Sequence, residues 1–203
     1  MKVRTTLLSA VATMALSGSA LALPLIAAGS QLNINGFDRA VGAVTLDAAV
    51  GLDFTAGLGA TPGVDGVLGA ANGTGDFAFL GTCNANCGTI KDILSFAAFA
   101  SVAAEYTTSS GVSFDLNSIN NPTRIPDGVG QPATLIVSGS GTFHLTGFAN
   151  TPGVFTLTTQ GNAITTLSAS TVAQGAVDVP EPMSIALLGT ALAGFGLIRR
   201  RKD

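Results

Sequence analysis

Apolar and polar residues alternate with a period of two along several short stretches of the chain. Val112, Phe114 and Leu116 interleave with Ser113, Asp115 and Asn117. Phe143 and Leu145 interleave with Thr142, His144 and Thr146, and Phe155 and Leu157 with Thr156 and Thr158. Successive side chains of a strand point to opposite faces, so this pattern predicts strands with one buried and one wet face. Less regular candidates cover residues 32–37, 42–55, 76–81, 89–106, 133–139 and 162–171. Turn formers separate them: Thr61-Pro62-Gly63, Asn72-Gly73, Asn121-Pro122, Pro126-Asp127-Gly128 and Thr151-Pro152-Gly153. Many short strands with such punctuation predict an all-β domain, an antiparallel β-sandwich or jelly roll. Three stretches fit less simply. Residues 96–106 are apolar and Ala-rich, so a helix competes with a strand there. Residues 56–75 are Gly-rich and read as a surface loop. Gly139-Ser140-Gly141 reads as flexibility at a strand end.

Both ends depart from the period of two. At the front, Lys2 and Arg4 precede an apolar run over 7–16 (LLSAVATMAL), and small residues end in Ala20-Leu21-Ala22. A positive start, a short apolar run and an A-x-A site describe a secretory signal peptide, residues 1–22, cut so that Leu23 begins the mature chain. The run has half the length of roughly 20 residues that a spanning helix needs. At the back stand Val179-Pro180-Glu181-Pro182, then sixteen mostly apolar residues over 183–198 (MSIALLGTALAGFGLI), then Arg199-Arg200-Arg201-Lys202. The prolines keep the first part extended and out of the helix. The apolar part is long enough to cross a membrane if the flanking arginines snorkel outward. The basic cluster places the C-terminus on the cytoplasmic side, with residues 23–182 outside.

This tail resembles the PEP-CTERM sorting signal of bacterial surface proteins, a Pro-Glu-Pro motif ahead of a transmembrane helix and an Arg-rich end. The resemblance covers about 25 residues and rests on three unlike elements in order. It implies processing at Val179–Pro182 by an exosortase-like membrane protease, with Arg199–Lys202 as the basic stop. It also implies association with exopolysaccharide. The logic parallels other C-terminal signals whose hydrophobic tail is removed on maturation. A permanent single-pass anchor is the competing reading. The expected organisation is therefore a signal peptide (1–22), a β-rich exported domain (23–171), a spacer (172–178) and a sorting tail (179–203). The export translocon and signal peptidase are the first partners. The expected route is export, transient anchoring in the inner membrane, then the cell surface or extracellular matrix.

Charge narrows the functions open to the middle. Six of the nine Lys and Arg residues lie in the two terminal segments, leaving Arg39, Lys91 and Arg124 between residues 23 and 182. Against these three stand eleven acidic residues, a net charge of −8. Nucleic-acid binding needs clustered cations, so it is not expected. Cys83 and Cys87 are the only cysteines. In a straight strand their Cα atoms would lie about 13 Å apart, so a disulfide requires a turn, which Asn84-Ala85-Asn86 can make. Export favours the oxidised pair. The single histidine, His144, falls on the polar phase of its strand without partners indicated by spacing. No metal ligand set, cofactor motif or catalytic constellation is expected; Asp65, Asp76 and Asp127 in Gly-rich loops are the weak calcium candidates. The eleven Phe residues read mostly as core, and the chain has no Trp. The expected function is that of a non-enzymatic surface or matrix protein. A carbohydrate-binding module or adhesin, held permanently by its C-terminal helix, is the alternative.

Overall fold

A computed structural model describes residues 22–57, 61–161 and 164–175. The strands are β1 (Gln31–Val41), β2 (Gly51–Thr55), β3 (Gly66–Val67), β4 (Ala70–Gly73), β5 (Thr82–Cys83) and β6 (Gly88–Ile90). They continue with β7 (Val102–Thr108), β8 (Ser113–Ile119), β9 (Thr123–Ile125), β10 (Thr134–His144), β11 (Thr151–Gln160) and β12 (Ile164–Ala173). All pairings among the described strands are antiparallel, in the order β3-β6-β7-β8-β10-β11-β12-β1-β4-β5, with β2 also on β1 and β9 on β10.

The expected antiparallel all-β architecture is present, but as one curled sheet rather than two stacked ones. Tyr106 on β7 donates through its hydroxyl to Thr171 Oγ1 on β12 at 2.9 Å, inside the core. Four strand spacings separate β7 from β12, about 19 Å in a flat sheet, so only curling brings these side chains together. The curl carries the two ends of the sheet toward each other. The short segment that bears β3 and β4 pairs with β6 through Gly66 and Val67 and with β1 through Ala70–Gly73.

The inner face is apolar. Phe114 is the hub, its ring centroid 4.9 Å from Phe143, 5.6 Å from Tyr106 and 6.3 Å from Phe155. Leu32, Ile34, Leu135, Val137, Leu157 and Leu167 complete the layer, all buried. Phe77 adds a fourth ring, 4.9 Å from Phe143. It comes from a 3-10 helix, Gly75–Leu80, where the sequence predicted a strand over 76–81. Gly75 and Gly81 both take left-handed φ (61° and 60°), which breaks an extended run on either side. Only Phe77 of the apparent Phe77/Phe79 alternation is buried.

Other expectations are corrected for related reasons. Residues 56–75 are not simply a loop, since β3 and β4 lie in them. Their small residues serve close packing: a Cβ on Gly66 would stand 2.7 Å from Phe54 Cβ. The helix considered for 96–106 is absent. Residues 96–101 are turns and irregular chain, and β7 follows at Val102. Gly139-Ser140-Gly141 lies within β10 rather than at a strand end, at a register shift against β8. A Cβ on Gly141 would collide with the Asp115 carbonyl and the Phe114 ring. Gly141→Ala is therefore expected to destabilise the fold by about 1–3 kcal/mol through overpacking. A urea midpoint equal to that of the exposed-site control Thr156→Ala would contradict this.

β12 runs to Ala173, so it occupies the first residues assigned to the spacer. Gln174 N–H still donates to Pro152 O at 2.8 Å. The entry segment runs beside this end of the strand. Gly29 N–H donates to Ala173 O at 2.9 Å and Ala173 N–H to Ser30 O at 2.8 Å. Both ends of the described domain thus leave from one pole.

Candidate functional site

Cys83 and Cys87 form a disulfide, with Cα atoms 5.7 Å apart. The turn between them has Asn86 in the left-handed region, φ 52°, a conformation Asn tolerates better than most residues. Cys83 is anchored because β5 pairs with β4, Ala71 opposite Cys83. Cys87 is anchored because its N–H donates to Leu68 O at 2.9 Å. The bridge closes a loop of only a few residues, so its removal by Cys83→Ser/Cys87→Ser is expected to cost about 2 kcal/mol. Urea unfolding with and without reductant measures this, and an unchanged midpoint would refute it.

The clamped loop overhangs the outer face of the sheet. There Asn84 lines a shallow groove with Asn35 and Phe37 of β1 and Thr166 and Ser168 of β12. Thr158 of β11 extends the groove across the next strand. Register makes these residues neighbours on one face: Asn35 stands opposite Ser168, Phe37 opposite Thr166, and Thr158 opposite Ser168. No charged side chain lines either half. The surrounding face continues the same chemistry. Ser138, Thr156, Ser170, Asn33 and Asn72 stand in a row across β10, β11, β12, β1 and β4. Amide–hydroxyl and amide–amide hydrogen bonds lace it, Gln31 to Ser170 at 2.7 Å and Asn33 to Asn72 at 3.1 Å.

Phe37 is the residue that sequence reasoning missed. Buried Leu32 and Ile34 set the inward phase of β1, and that phase carries Gly36 and Asp38 inward. Phe37 is therefore turned outward, 37% exposed, while Asp38 is fully buried. A long apolar side chain outside next to an acid inside is the reverse of the usual partition.

His144 is half-exposed, as its polar phase predicted, but it is paired. Its Nε2 lies 2.8 Å from Asp115 Oδ2 and its Nδ1 3.0 Å from Asn150 Oδ1. Ala104 N–H donates to the other Asp115 oxygen at 2.7 Å. Burial alone would raise the Asp115 carboxyl, but the Ala104 N–H and His144 more than offset it and hold it below the usual carboxylate range. Strand spacing hid this arrangement because Asp115 and Asn150 reach His144 from β8 and from the turn before β11. The three central cations are likewise tied to protein groups. Arg39 Nε donates to Asp53 Oδ2 at 2.8 Å, Lys91 Nζ to Ala103 O at 2.6 Å, and Arg124 to Asp47 O at 2.9 Å. Of the calcium candidates, Asp76 accepts from Ala27 N–H at 2.7 Å. Asp65, Asp76 and Asp127 are not brought together, and among the described residues no group of three or more His, Cys, Asp or Glu is placed to hold a metal.

Ala22 and Leu23 lie in chain without regular secondary structure, with Leu23 exposed. Ala20, the segment Val179–Pro182, the apolar span 183–198 and Arg199–Lys202 lie outside the described residues. Among the described residues no helix is long and apolar enough to cross a membrane. The tail is identified by comparison with protein families instead. Residues 178–202 match the PEP-CTERM protein-sorting motif. The motif marks an exported protein that is targeted to exosortase and processed for the cell surface. No curated protein and no solved structure matches the chain, so the PEP-CTERM motif is the family evidence, and it concerns delivery.

Proposed function

We propose that the protein is a non-enzymatic component of the cell surface or extracellular matrix, delivered as a folded β-domain. Signal peptidase removes residues 1–22 after export through the translocon. Residues 183–198 then hold the chain in the inner membrane, with Arg199–Lys202 on the cytoplasmic side. An exosortase-like protease cuts at Val179–Pro182, and the domain passes to the surface or into the exopolysaccharide. The observation that carries this reading is the sorting-motif match at 178–202.

The shape of the domain supports it. Both ends leave from one pole, and only four residues separate Gly175 from Pro180. Five peptide steps reach at most about 18 Å, so that pole faces the membrane until cleavage. The non-enzymatic part draws support from His144, the natural general base. Both of its ring nitrogens are engaged by Asp115 and Asn150, leaving neither to activate a hydroxyl.

Mass spectrometry of the C-terminal peptide from medium, matrix and membrane fractions tests the proposal. A chain ending near Pro182 outside the membrane is the expected result. An intact Asp203 end found only in membranes would replace it with a permanently anchored protein.

A further inference from the structure

We propose that the groove over β11, β12 and β1 binds an internal stretch of an uncharged polysaccharide, with Phe37 as its stacking platform. The inference deepens the surface reading and rests on it only for access to glycans. Four observations carry it.

The first is the chemistry of the lining. A sugar ring presents hydroxyl groups around its rim and C–H groups on its faces. Asn35 and Asn84 each offer two N–H donors and a carbonyl acceptor, and Ser168, Thr158 and Thr166 are hydroxyl residues. Phe37 adds an exposed aromatic ring for the C–H faces. The groove thus sets amides and hydroxyls beside one aromatic ring, Leu167 and the small residues Gly36, Gly69 and Ala70, which matches the mixed polar and C–H surface of a sugar ring. The second is charge. The groove holds no charged side chain, in a domain (23–171) whose nine acidic and three basic residues give it a net charge of −6. A polyanion would be repelled by the domain and find no cation in the groove, whereas a neutral polymer loses nothing.

The third is construction. The disulfide fixes the loop that carries Asn84, and Gly69 keeps the wall beside Asn35 open. A Cβ on Gly69 would press on Asn35 Oδ1 at 3.1 Å. The residues are thus held in place before any ligand arrives, which lowers the cost of binding. The fourth is placement. The groove crosses three strands, about 10 Å, and is open along its length, which suits a passing chain rather than a chain end. Ala173 lies six residue steps along β12 from Leu167, so the groove stands about 20 Å from the pole that leads to the tail.

The test is affinity electrophoresis of the full chain in mild detergent, through gels containing dextran, galactomannan, a soluble β-glucan or, as the charged control, alginate. Retardation by at least one neutral polymer is expected. Phe37→Ala is expected to weaken it by about tenfold or more, the loss typical of a central aromatic contact. Phe37 is 37% exposed, so part of the ring is packed, and circular dichroism at the assay temperature verifies that the variant is folded before its mobility is compared. Asn84→Ala, or reduction of the disulfide, should weaken binding as well. Free passage through every neutral polymer would overturn the proposal. So would retardation by alginate alone, or retardation that survives Phe37→Ala combined with Asn35→Ala. The purified chain never meets the sorting machinery in this assay, so a failure here leaves the PEP-CTERM reading standing, and a failure of sorting leaves the groove standing.

Discussion

Replacing Pro180-Glu181-Pro182 with three alanines is expected to leave export intact and to hold nearly all of the protein in the membrane fraction. In the proposed route export depends on the first 22 residues, which the change does not touch. Release depends on an accessible peptide bond beside the membrane. Proline supplies that accessibility: it has no N–H to give to a helix, and it biases the residue before it to extended backbone. Alanine has the opposite tendency, being the strongest helix former. In the variant nothing at positions 180–182 would stop the helix proposed for the apolar span from extending through them and withdrawing those bonds from a protease. Release should fall by at least about tenfold, equivalent to about 1.4 kcal/mol in the barrier to cleavage. Pulse labelling followed by fractionation measures it. Glu181→Gln separates the two contributions of the motif, since it removes the charge and keeps both prolines. Shedding of the triple-alanine protein at the normal rate would show that these residues do not direct processing.

The sorting tail was legible in the sequence because each part of such a signal is local. A proline pair, an apolar run and an arginine cluster act through composition and order, not through distant contacts. The strong strands were legible for the same reason. In β8, β10 and β11 the alternation of Phe, Leu and Val with Ser, Thr and Asn matches the buried and exposed sides. The curl was not, because it depends on Tyr106 meeting Thr171 across the interior and on one short segment pairing at both of its ends. Nor were β3 and β4, whose glycines imitate a loop while in fact allowing chains to approach. A disulfide between Cys83 and Cys87 followed from spacing and compartment. That its loop would overhang β1 and β12 did not.

The groove was missed for a more particular reason. Phe is ordinarily core, and by that expectation the chain offers no sugar platform. The phase of β1 decides otherwise: with Leu32 and Ile34 inward, a strand cannot also turn Phe37 inward without a bulge. Such local conflicts between residue type and environment tend to mark functional positions. The same phase drives Asp38 into the core, and the two residues are consequences of one register.

That buried acid makes the protein's stability fall as pH rises. Asp38 is fully buried, and only one of its oxygens has a partner among the described residues, the Thr159 hydroxyl at 2.7 Å. Burial pushes its carboxyl up to about 7, with the Thr159 hydrogen bond opposing. Glu105, also fully buried and with neither oxygen partnered among the described residues, is pushed well above the usual range by burial, with Asp92 adding to it. The folded state therefore holds these protons at pH values where the unfolded chain has released them. Stability is present in full below the ordinary carboxylate range and is lost as pH rises through about 7. At about 1.4 kcal/mol for each tenfold change in proton affinity, Asp38 alone accounts for a loss on the order of 4 kcal/mol. Asp115 works in the opposite sense, but only at acid pH, below the window in question. Urea midpoints between pH 4.5 and 8 should decline steadily for the native sequence. Asp38→Asn keeps an acceptor for Thr159 and cannot ionise, so its midpoints should fall less steeply and exceed the native ones at pH 8. A native curve that is flat across this range, or an Asn variant that tracks it in parallel, would mean that Asp38 is not held protonated in the core. The register that turns Phe37 outward would then have no measurable cost on the inner face.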